Sequence, residues 1–441
     1  MKKNTLKTIL LAILCCLFGF NTWSQNEIAI ASVSDLQKIG NDVNYPLTSS
    51  YYLTADIDLN SISDWTPIGA TGVSDNNPQQ FKGIFDGKGY AIKNLTITTS
   101  GNFKGLFGRL YHASVKDLDL ENVNIVGLAP TGGIAGAMIG ESIIERVSVT
   151  GNITGGSEIG GIVGRIARDP TYPDYNLIHD CYVNANITAT KRTTDMNAPS
   201  VAGGIAAFSH STSGGASGKI DIRRCYVAGS VISQENTSVA GNASGILTFY
   251  DNHNFVKMEE VIVLCDTIGA ATSNLFFSRR GPTYADFELF NKVYARSDIS
   301  LYYAVGTDKG RGGEIPEGII NYLSLETYKT KQFYDDNLTW NFDNVWIISD
   351  GFLPELNRSK SPTSNPSGLN EESFYALSIK QGILEIKPLD EFFVQIFDVT
   401  GAKIYADNVV KSTLSVRLQT GVYLILSEFQ GKKFTEKVLI N

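Results

Sequence analysis

The sequence predicts an all-β protein: a right-handed parallel β-helix with a short capping helix, followed by a small C-terminal antiparallel β-sandwich. Three observations lead to this fold class. A strand-like segment recurs along the chain, a glycine-containing motif precedes each copy, and a polar break separates the copies from a final stretch of short alternating segments. The composition agrees, because glycine is abundant (42 residues) while charged residues make up only 19%.

The recurring segment alternates apolar and polar residues. Four copies superpose without gaps: "VKDLDLENVNI" (115–125), "IIERVSVTGNI" (143–153), "LIHDCYVNANI" (177–187) and "DIRRCYVAGSV" (221–231). Alternation of this kind places every second side chain on the same face of a strand. It predicts two inward columns, which we extend at their start to Leu95 and Ile97. The two inward columns are Leu118, Val147, Cys181, Cys225, Val261 and Leu120, Val149, Val183, Val227, Val263.

A short motif with a glycine and stackable aliphatic residues precedes each strand. Its copies are "GLFG" (105–108), "GIAG" (133–136), "GIVG" (161–164), "GIAA" (204–207) and "GILT" (245–248). Glycine permits close approach of neighbouring backbones, as a tight corner requires. One repeat of this size cannot bury its apolar face alone, so stacked parallel copies are expected to share one continuous core.

Both ends of such a solenoid need cover, because an open coil exposes apolar surface and strand edges. The segment "VSDLQKIGNDV" (33–43) has helical spacing at Leu36, Ile39 and Val43, which predicts a short amphipathic capping helix. At the other end, "SLETYKTKQFYDD" (324–336) is expected to cap the last coil.

A polar stretch marks the boundary between two domains. "RSKSPTSNPSGLN" (358–370) has two prolines and no apolar periodicity, which predicts a linker. The β-helix with its caps is then expected to occupy 25–357. Residues 371–441 alternate apolar and polar between glycine-containing breaks, which predicts the antiparallel β-sandwich.

The N-terminus has the pattern of a secretory signal peptide. Lys2, Lys3 and Lys7 precede an apolar core (9–20) that is too short to span a membrane well. This predicts a signal peptide over 1–24. No other long apolar run follows, so no transmembrane segment is expected in the mature chain.

Charge and cysteine usage exclude several function classes. The formal net charge is -8, and no basic stripe is present, which argues against a nucleic-acid partner. Beyond the signal, only Cys181, Cys225 and Cys265 remain, an odd number that forms no disulfide framework. No C-x-x-C or H-E-x-x-H spacing occurs. We expect no cofactor, and the sequence identifies no metal ligands.

Two groups of charged residues could support chemistry. The column that precedes the first inward column alternates in charge: Asn94, Asp117, Arg146, Asp180, Arg224, Glu260. It predicts ion pairs between rungs, with the catalytic groove of a polysaccharide-cleaving β-helix as the alternative. Asp56 and Asp58 share one strand face, where they could bind calcium or act as acid and base, or simply face solvent.

An aromatic patch is the most suggestive binding feature. The outward column reads Thr96, Asp119, Ser148, Tyr182, Tyr226, Ile262, so two tyrosines are expected to stack on adjacent rungs. The longest insertions also fall in these repeats, and insertions in solenoids gather on one face, often the binding face. A carbohydrate-stacking patch is therefore predicted, although a tyrosine ladder can also serve only to stabilise the sheet. The predicted patch residues are Arg168, Tyr172, Tyr175, Tyr182, Arg192 and Tyr226.

Several motifs resemble a known repeat family. "YYLTADIDLN…WTPIG" (51–69), "FKGIFDGKGYAIKNLTI" (81–97) and the Gly-Leu-Phe-Gly units resemble secreted bacterial proteins with GLUG-motif repeats. "FDNVWIISDGFLPEL" (342–356) is similar to the segment that closes such arrays. The resemblance covers about 26–358 and implies a β-helix in an adhesin-like surface protein or beside an enzymatic domain.

The C-terminal stretch resembles the sorting domain of type IX secretion cargo. The matching residues are "VQIFDVTG" (394–401), "LQTGVYL" (418–424) and the Lys-Val-Leu-Ile ending (437–440). Such domains direct export across the outer membrane. The resemblance implies that type IX-like export machinery is a partner of residues 371–441.

These observations favour a secreted or outer-cell-surface protein that binds rather than catalyses. We expect an adhesin-like scaffold whose ligand is a carbohydrate or a cell-surface protein. The alternative is a polysaccharide lyase or glycoside hydrolase that acts in a groove of the β-helix.

Overall fold

The computed structural model consists of two compact units, with the boundary between Ser361 and Pro362. This boundary lies inside the segment that the sequence predicts as a linker. The predicted signal peptide and most of that linker lie outside the described residues. The structure describes residues 27–69, 79–167, 169, 175–190, 200–210, 219–234, 241–250, 256–270, 272–274, 290–303, 320–358, 375–380, 383–388, 393–398, 403–407, 414–419, 421–429 and 432–440.

The first unit is a parallel β-helix, which confirms the predicted fold class. Its strands form one 19-stranded sheet and two five-stranded sheets, and every pairing between successive coils is parallel. The large sheet contains β1 (Ile28–Ile30), β2 (Tyr51–Leu53), β3 (Ile57–Asp58), β4 (Ile84–Asp86), β5 (Ala91–Lys93), β6 (Thr96–Ile97), β8 (Ser114–Gly127), β11 (Ile143–Gly155), β14 (Asn176–His179), β15 (Tyr182–Ala189), β18 (Ile220–Arg223), β19 (Tyr226–Ser233), β22 (Val256–Glu259), β23 (Ile262–Val263), β24 (Thr267–Ala270), β26 (Phe290–Asn291), β27 (Val293–Arg296), β28 (Ser300–Tyr303) and β29 (Ile320–Leu323). The second sheet contains β7 (Phe107–Tyr111), β10 (Ala135–Ile139), β13 (Val163–Ala167), β17 (Ala206–His210) and β21 (Leu247–Tyr250), and the third contains β9 (Thr131–Gly132), β12 (Ile159–Gly160), β16 (Val201–Gly203), β20 (Asn242–Ser244) and β25 (Thr272–Asn274).

The inward columns form the core of the solenoid. Val149 lies opposite Leu120 in one direction and opposite Val183 in the other, and Val183 continues to Val227 and Val227 to Val263. All ten predicted ladder residues are fully buried, from Leu118 and Leu120 to Val261 and Val263. Cys181, Cys225 and Cys265 are buried free thiols in the same core.

The predicted start of these columns is wrong, because the alignment of residues 91–97 with the later strands is offset past one corner of the β-helix. Ile92, not Ile97, pairs with Leu120, and Ile97 pairs with Ile125. The reason is that this coil turns through Lys88, whose φ of 51° matches the left-handed corner at Asp117. Asn94, Leu95, Thr96 and Ile97 therefore belong to columns that lie further along each rung.

The glycine motif forms the corner between the third and second sheets. A Cβ atom on Gly161 would lie 2.7 Å from Cγ1 of Val183 and closer still to the carbonyl oxygen of Gly204. Gly133 faces Val149 and Gly204 faces Val227 in the same way, each at 2.7 Å. The motif requires glycine because the corner backbone packs directly on an inward valine and on the next rung.

The N-terminal helix is shorter than the sequence predicts. Helix α1 (Val33–Lys38) begins after Ser32, whose side-chain oxygen accepts from the backbone N–H of Asp35 at 3.2 Å. It ends before Gly40, which has a φ of +80°, and Val43 is exposed rather than buried. Leu36 and Ile39 are fully buried and join the solenoid core as expected.

The second unit is built from two antiparallel sheets that share an apolar core. The strands are β32 (Tyr375–Lys380), β33 (Ile383–Pro388) and β36 (Leu414–Arg417) in one sheet, and β34 (Phe393–Asp398), β35 (Lys403–Asp407), β37 (Gly421–Phe429) and β38 (Lys432–Ile440) in the other. Leu384, Val394, Ile396 and Ile425 are fully buried in this core. The alternation in the sequence therefore becomes the expected β-sandwich.

Replacing Gly161 by alanine is expected to lower the free energy of unfolding by about 1–3 kcal/mol, because the added methyl group overpacks the corner against Val183. Urea denaturation measures this loss. Gly101→Ala is the matched control, since its Cβ would first meet the flexible side chain of Lys104 at 3.1 Å. Equal losses in the two variants would contradict this account of the motif.

Candidate functional site

The segment that follows the last coil runs back along the outside of the solenoid. We call residues 324–358 the strap. It contains a 3-10 turn (Thr327–Lys329), helix α2 (Lys331–Asn337) and a small antiparallel pair of β30 (Trp346–Ile347) and β31 (Glu355–Leu356). The sequence predicts that 324–336 caps the last coil. In the structure its aromatic residues instead pack against the outward side chains of several rungs.

The outward column is the surface that the strap covers. Tyr182 and Tyr226 stack as predicted, with ring centroids 5.0 Å apart and planes 2° from parallel. Tyr226 is only 3% exposed, because Trp340 and Trp346 pack on it and its hydroxyl donates to the carbonyl of Pro354 at 2.8 Å. Further along the column, Ile262 and Tyr294 lie in the same apolar cluster, together with Leu264 two residues after Ile262.

The predicted carbohydrate patch is therefore wrong for Tyr226, which the strap buries. Tyr182 is half-buried at the edge of the strap. Tyr175 directly precedes β14, and the corner at Asp180 separates that strand from Tyr182. Lys257 and Lys219 lie over the ring of Tyr175 at 4.3 and 5.4 Å. Arg168, Tyr172 and Arg192 lie outside the described residues. The part of the patch that the structure describes does not form one exposed aromatic surface.

The charged column forms a left-handed corner with ion pairs between rungs. Asp117, Arg146, Asp180, Arg224 and Glu260 all have φ values between 48° and 55°. Such values are uncommon for residues other than glycine. Successive rungs lie about 4.8 Å apart, so each of these side chains has a neighbour in the rung above and in the rung below. Alternating charge avoids repulsion between these neighbours.

The distances in this corner column identify its pairs. Arg146 Nη2 donates to Asp117 Oδ2 at 2.8 Å, and Arg224 Nε donates to Asp180 Oδ1 at 2.8 Å. The ammonium of Lys292 lies 3.3 Å from the carboxylate of Glu260.

A buried histidine joins the middle of this network. His179 Nδ1 lies 2.7 Å from Asp180 Oδ2, and its Nε2 lies 3.3 Å from Glu145 Oε2. Burial opposes the charge of His179, but its bonds to Asp180 and Glu145 outweigh burial and raise its pKa to about 10. Burial likewise opposes the charge of Glu145, yet His179 and Arg146 lower its pKa to about 2. Each group therefore keeps its charge near neutral pH, and the two form a buried ion pair.

The same corner fastens the strap to the solenoid. Trp346 Nε1 donates to Asp180 Oδ1 at 3.2 Å, and the backbone N–H of Thr339 donates to Glu260 Oε2 at 2.8 Å. The column that the sequence offers as a possible catalytic groove thus serves as an ion-pair ladder and as the attachment line of the strap.

A polar groove opens where the strap ends. Arg358, assigned to the linker from sequence, binds the solenoid: its Nε donates to Asp119 Oδ2 at 2.7 Å and its Nη1 to the carbonyl of Arg146 at 3.1 Å. Beside it lies a groove of about 370 Å³, which we call the strap groove. It is lined by Asp119, Glu121, Asn122, Ser148, Thr150, Tyr182, Glu355, Leu356 and Arg358.

The strap groove combines one aromatic side chain with hydroxyl, amide and carboxylate groups. Tyr226 packs on one face of the Tyr182 ring, and the opposite face looks toward the rung of Ser148. Burial raises the pKa of Tyr182 to about 12, so its hydroxyl stays neutral. Convergent polar groups around a partly apolar wall are typical of sites that orient a small ligand.

The predicted pair Asp56 and Asp58 lies near the start of the solenoid, where both carboxylates contact residues of the next coil. Asp58 Oδ1 accepts from the amide of Asn94 at 2.8 Å, and Asp56 Oδ2 lies 2.9 Å from the ammonium of Lys93. Among the described residues, no group of three or more histidine, cysteine, aspartate or glutamate side chains could hold a metal ion. No helix in the described part of the chain is long and apolar enough to cross a membrane.

Sequence reasoning missed Arg358 and Glu355 as site residues. Both come from the strap, whose contacts with the column join positions up to 239 residues apart. One signal was available: a column that contains Tyr182, Tyr226 and Ile262 needs apolar cover, and the aromatic stretch around Trp340 and Trp346 could supply it.

Comparisons with known proteins find partial similarity to immunoglobulin A1 proteases and to halomucin. A family model described as the M26 IgA1-specific metallo-endopeptidase N-terminal region matches residues 34–151. Halomucin of Haloquadratum walsbyi is 35% identical over 161 residues, which cover 34% of this chain and 2% of halomucin. The immunoglobulin A1 protease of Streptococcus sanguinis is 31% identical over 150 residues, 33% of this chain and 7% of that protein. The chain thus spans only a small part of these curated relatives.

A crystal structure of a Bacteroides ovatus protein, described as a candidate immunoglobulin A1 protease, has a similar fold. It matches 75% of this chain and 92% of its own, with a TM-score of 0.51 and 18% sequence identity. This similarity supports the β-helix fold.

Replacing His179 by glutamine is expected to destabilise the protein in a pH-dependent way. The folded-state pKa of His179 is raised to about 10, above an unfolded value of about 6.5. Its stabilising effect is therefore complete below about pH 6.5 and is lost as the pH rises through 10. Urea unfolding measures the free energy of unfolding at pH 6, 8 and 10. The difference in this free energy between wild type and variant should fall by a few kcal/mol from pH 6 to pH 10.

The exposed His112 provides the control variant His112→Gln for the same series. A difference between wild type and His179→Gln that stays constant from pH 6 to pH 10 would contradict the charged state assigned to His179.

Proposed function

We propose that the protein is a secreted or cell-surface β-helix binding protein, adhesin-like in role, that recognises carbohydrate in the strap groove. The observation that carries this proposal is the groove itself, where Tyr182 meets the polar groups of Asn122, Ser148, Glu355 and Arg358. A sugar ring has apolar C–H faces and an edge of hydroxyl groups. An aromatic ring beside amide, hydroxyl and carboxylate groups complements both parts of it.

Features of both ends support an extracellular location. The N-terminal segment 1–24 has the pattern of a signal peptide, and the C-terminal sandwich resembles the sorting domain of type IX cargo. The solenoid resembles GLUG-motif repeats of secreted proteins. We propose that export proceeds through residues 371–441.

One observation favours the second candidate, a polysaccharide lyase or glycoside hydrolase. The groove brings the carboxylates of Asp119, Glu121 and Glu355 around Tyr182. Against it, Arg358 pairs with Asp119 and Lys93 lies 3.5 Å from Glu121, so two of the three carboxylates already have a cationic partner.

The test mixes the mature secreted protein with immobilised plant, host and bacterial polysaccharides and with immunoglobulin A1, the protein named in the family match. We expect retention of the protein on at least one glycan, without new reducing or unsaturated chain ends. Release of chain ends would establish the enzymatic alternative. Retention by no glycan in the panel would overturn the proposal.

A further inference from the structure

We propose that the strap groove continues into a polar track along the first coils, and that this track takes neutral or amino-sugar oligosaccharides and excludes acidic ones. The inference rests on the proposed carbohydrate function and adds the substrate class and the direction of the bound chain.

The track begins at the groove and crosses two further rungs. The amide of Asn122, which lines the groove, donates to Asn94 Oδ1 at 2.7 Å, and the amide of Asn94 donates to Asp58 Oδ1 at 2.8 Å. Asn94 and Asn122 occupy a second left-handed corner, with φ values of 59° and 55°. Rungs lie about 4.8 Å apart, so the track extends about 10 Å beyond the groove and parallel to the solenoid axis.

The end of the aromatic stack fixes where one sugar ring lies. Tyr226 and Tyr182 stack along the axis, but Ser148 and Asp119 in the next two rungs carry short side chains. The stack therefore stops at Tyr182, and a ring bound in the groove would contact the exposed part of Tyr182 beside Glu355 and Arg358. From that position, the rest of an oligosaccharide can follow Asn122, Asn94 and Asp58 toward the N-terminal coils.

Charge decides which sugars can bind. The groove and track contain five carboxylates: Asp56, Asp58, Asp119, Glu121 and Glu355. Two cations oppose them, since Arg358 pairs with Asp119, and Lys93 lies between Asp56 and Glu121 at 2.9 and 3.5 Å. The excess of negative charge repels a uronate and attracts the ammonium of an amino sugar, while a neutral sugar meets hydrogen-bond acceptors on every side.

The experiment measures affinity by calorimetry with oligosaccharides of equal length. The probes are neutral N-acetylglucosamine oligomers, cationic glucosamine oligomers and anionic oligogalacturonate, each titrated into the mature full-length protein. We expect the first two to bind and oligogalacturonate to bind at least tenfold more weakly. Equal or tighter binding of oligogalacturonate would overturn the proposed substrate class.

Matched variants test the location. Asn122→Ala should weaken oligosaccharide binding by about tenfold, the effect of one lost hydrogen bond to a ligand. Glu355→Gln removes one carboxylate charge and should weaken binding of the cationic glucosamine oligomers by about as much. Asn344→Ala and Glu326→Gln change the same chemical groups at exposed strap positions outside the groove, and should bind as wild type does. All four positions are exposed, so three of the variants should melt close to wild type. Asn122→Ala places alanine at a φ of 55° and should melt somewhat lower, so binding is measured well below its melting temperature.

The outcomes separate the two proposals. If oligosaccharides bind but the two groove variants bind them like wild type, the track is wrong while carbohydrate binding stands. If none of the three oligosaccharides binds while a polysaccharide retains the protein, the assigned substrate class is wrong and carbohydrate binding stands. If no glycan binds in any form, both proposals fail.

Discussion

Close stacking of parallel rungs is the constraint on which the structure depends. Each side chain in a column meets its equivalent about 4.8 Å away, so a column tolerates only residues that can stack with their neighbours. Aliphatic residues meet this condition inside, where Val149, Val183 and Val227 form one ladder. Charged residues meet it at the left-handed corner only by alternating in sign. Glycine meets it where the backbone turns directly over the valine ladder.

The strap follows from the same constraint. The outward column changes along the axis from polar residues at Asp119 and Ser148 to aromatic and aliphatic residues from Tyr182 onward. An apolar column facing water has to be covered, and the segment after the last coil is long enough to lie over it. Cover is needed only as far as the apolar part extends. The apolar cover therefore ends at Tyr182. Beyond it, Arg358 reaches Asp119 on the polar part of the column, and the strap groove lies beside this contact.

The limits of prediction have a physical origin. The inward ladder could be read from the sequence because burial and stacking repeat in every coil. The start of the ladder could not, since the corner at Lys88 offsets the coil before Ser114–Gly127, while its apolar pattern still resembles that of a later coil. The patch at Tyr226 was predicted from its outward direction alone. The outward direction of a side chain does not reveal that the strap, 128 residues further along the chain, covers it. The strap groove also depends on this covering segment.

The most direct test of this account asks whether the strap lies on the outward column in solution. In a chain that lacks residues 1–24, Trp65→Phe leaves only Trp340 and Trp346, which are 6% and 0% exposed. Their fluorescence should be blue-shifted and protected from iodide quenching until urea unfolds the protein. Emission and quenching typical of exposed indole in the folded protein would contradict it. The strap would then be detached, and the Tyr182 and Tyr226 face would be open.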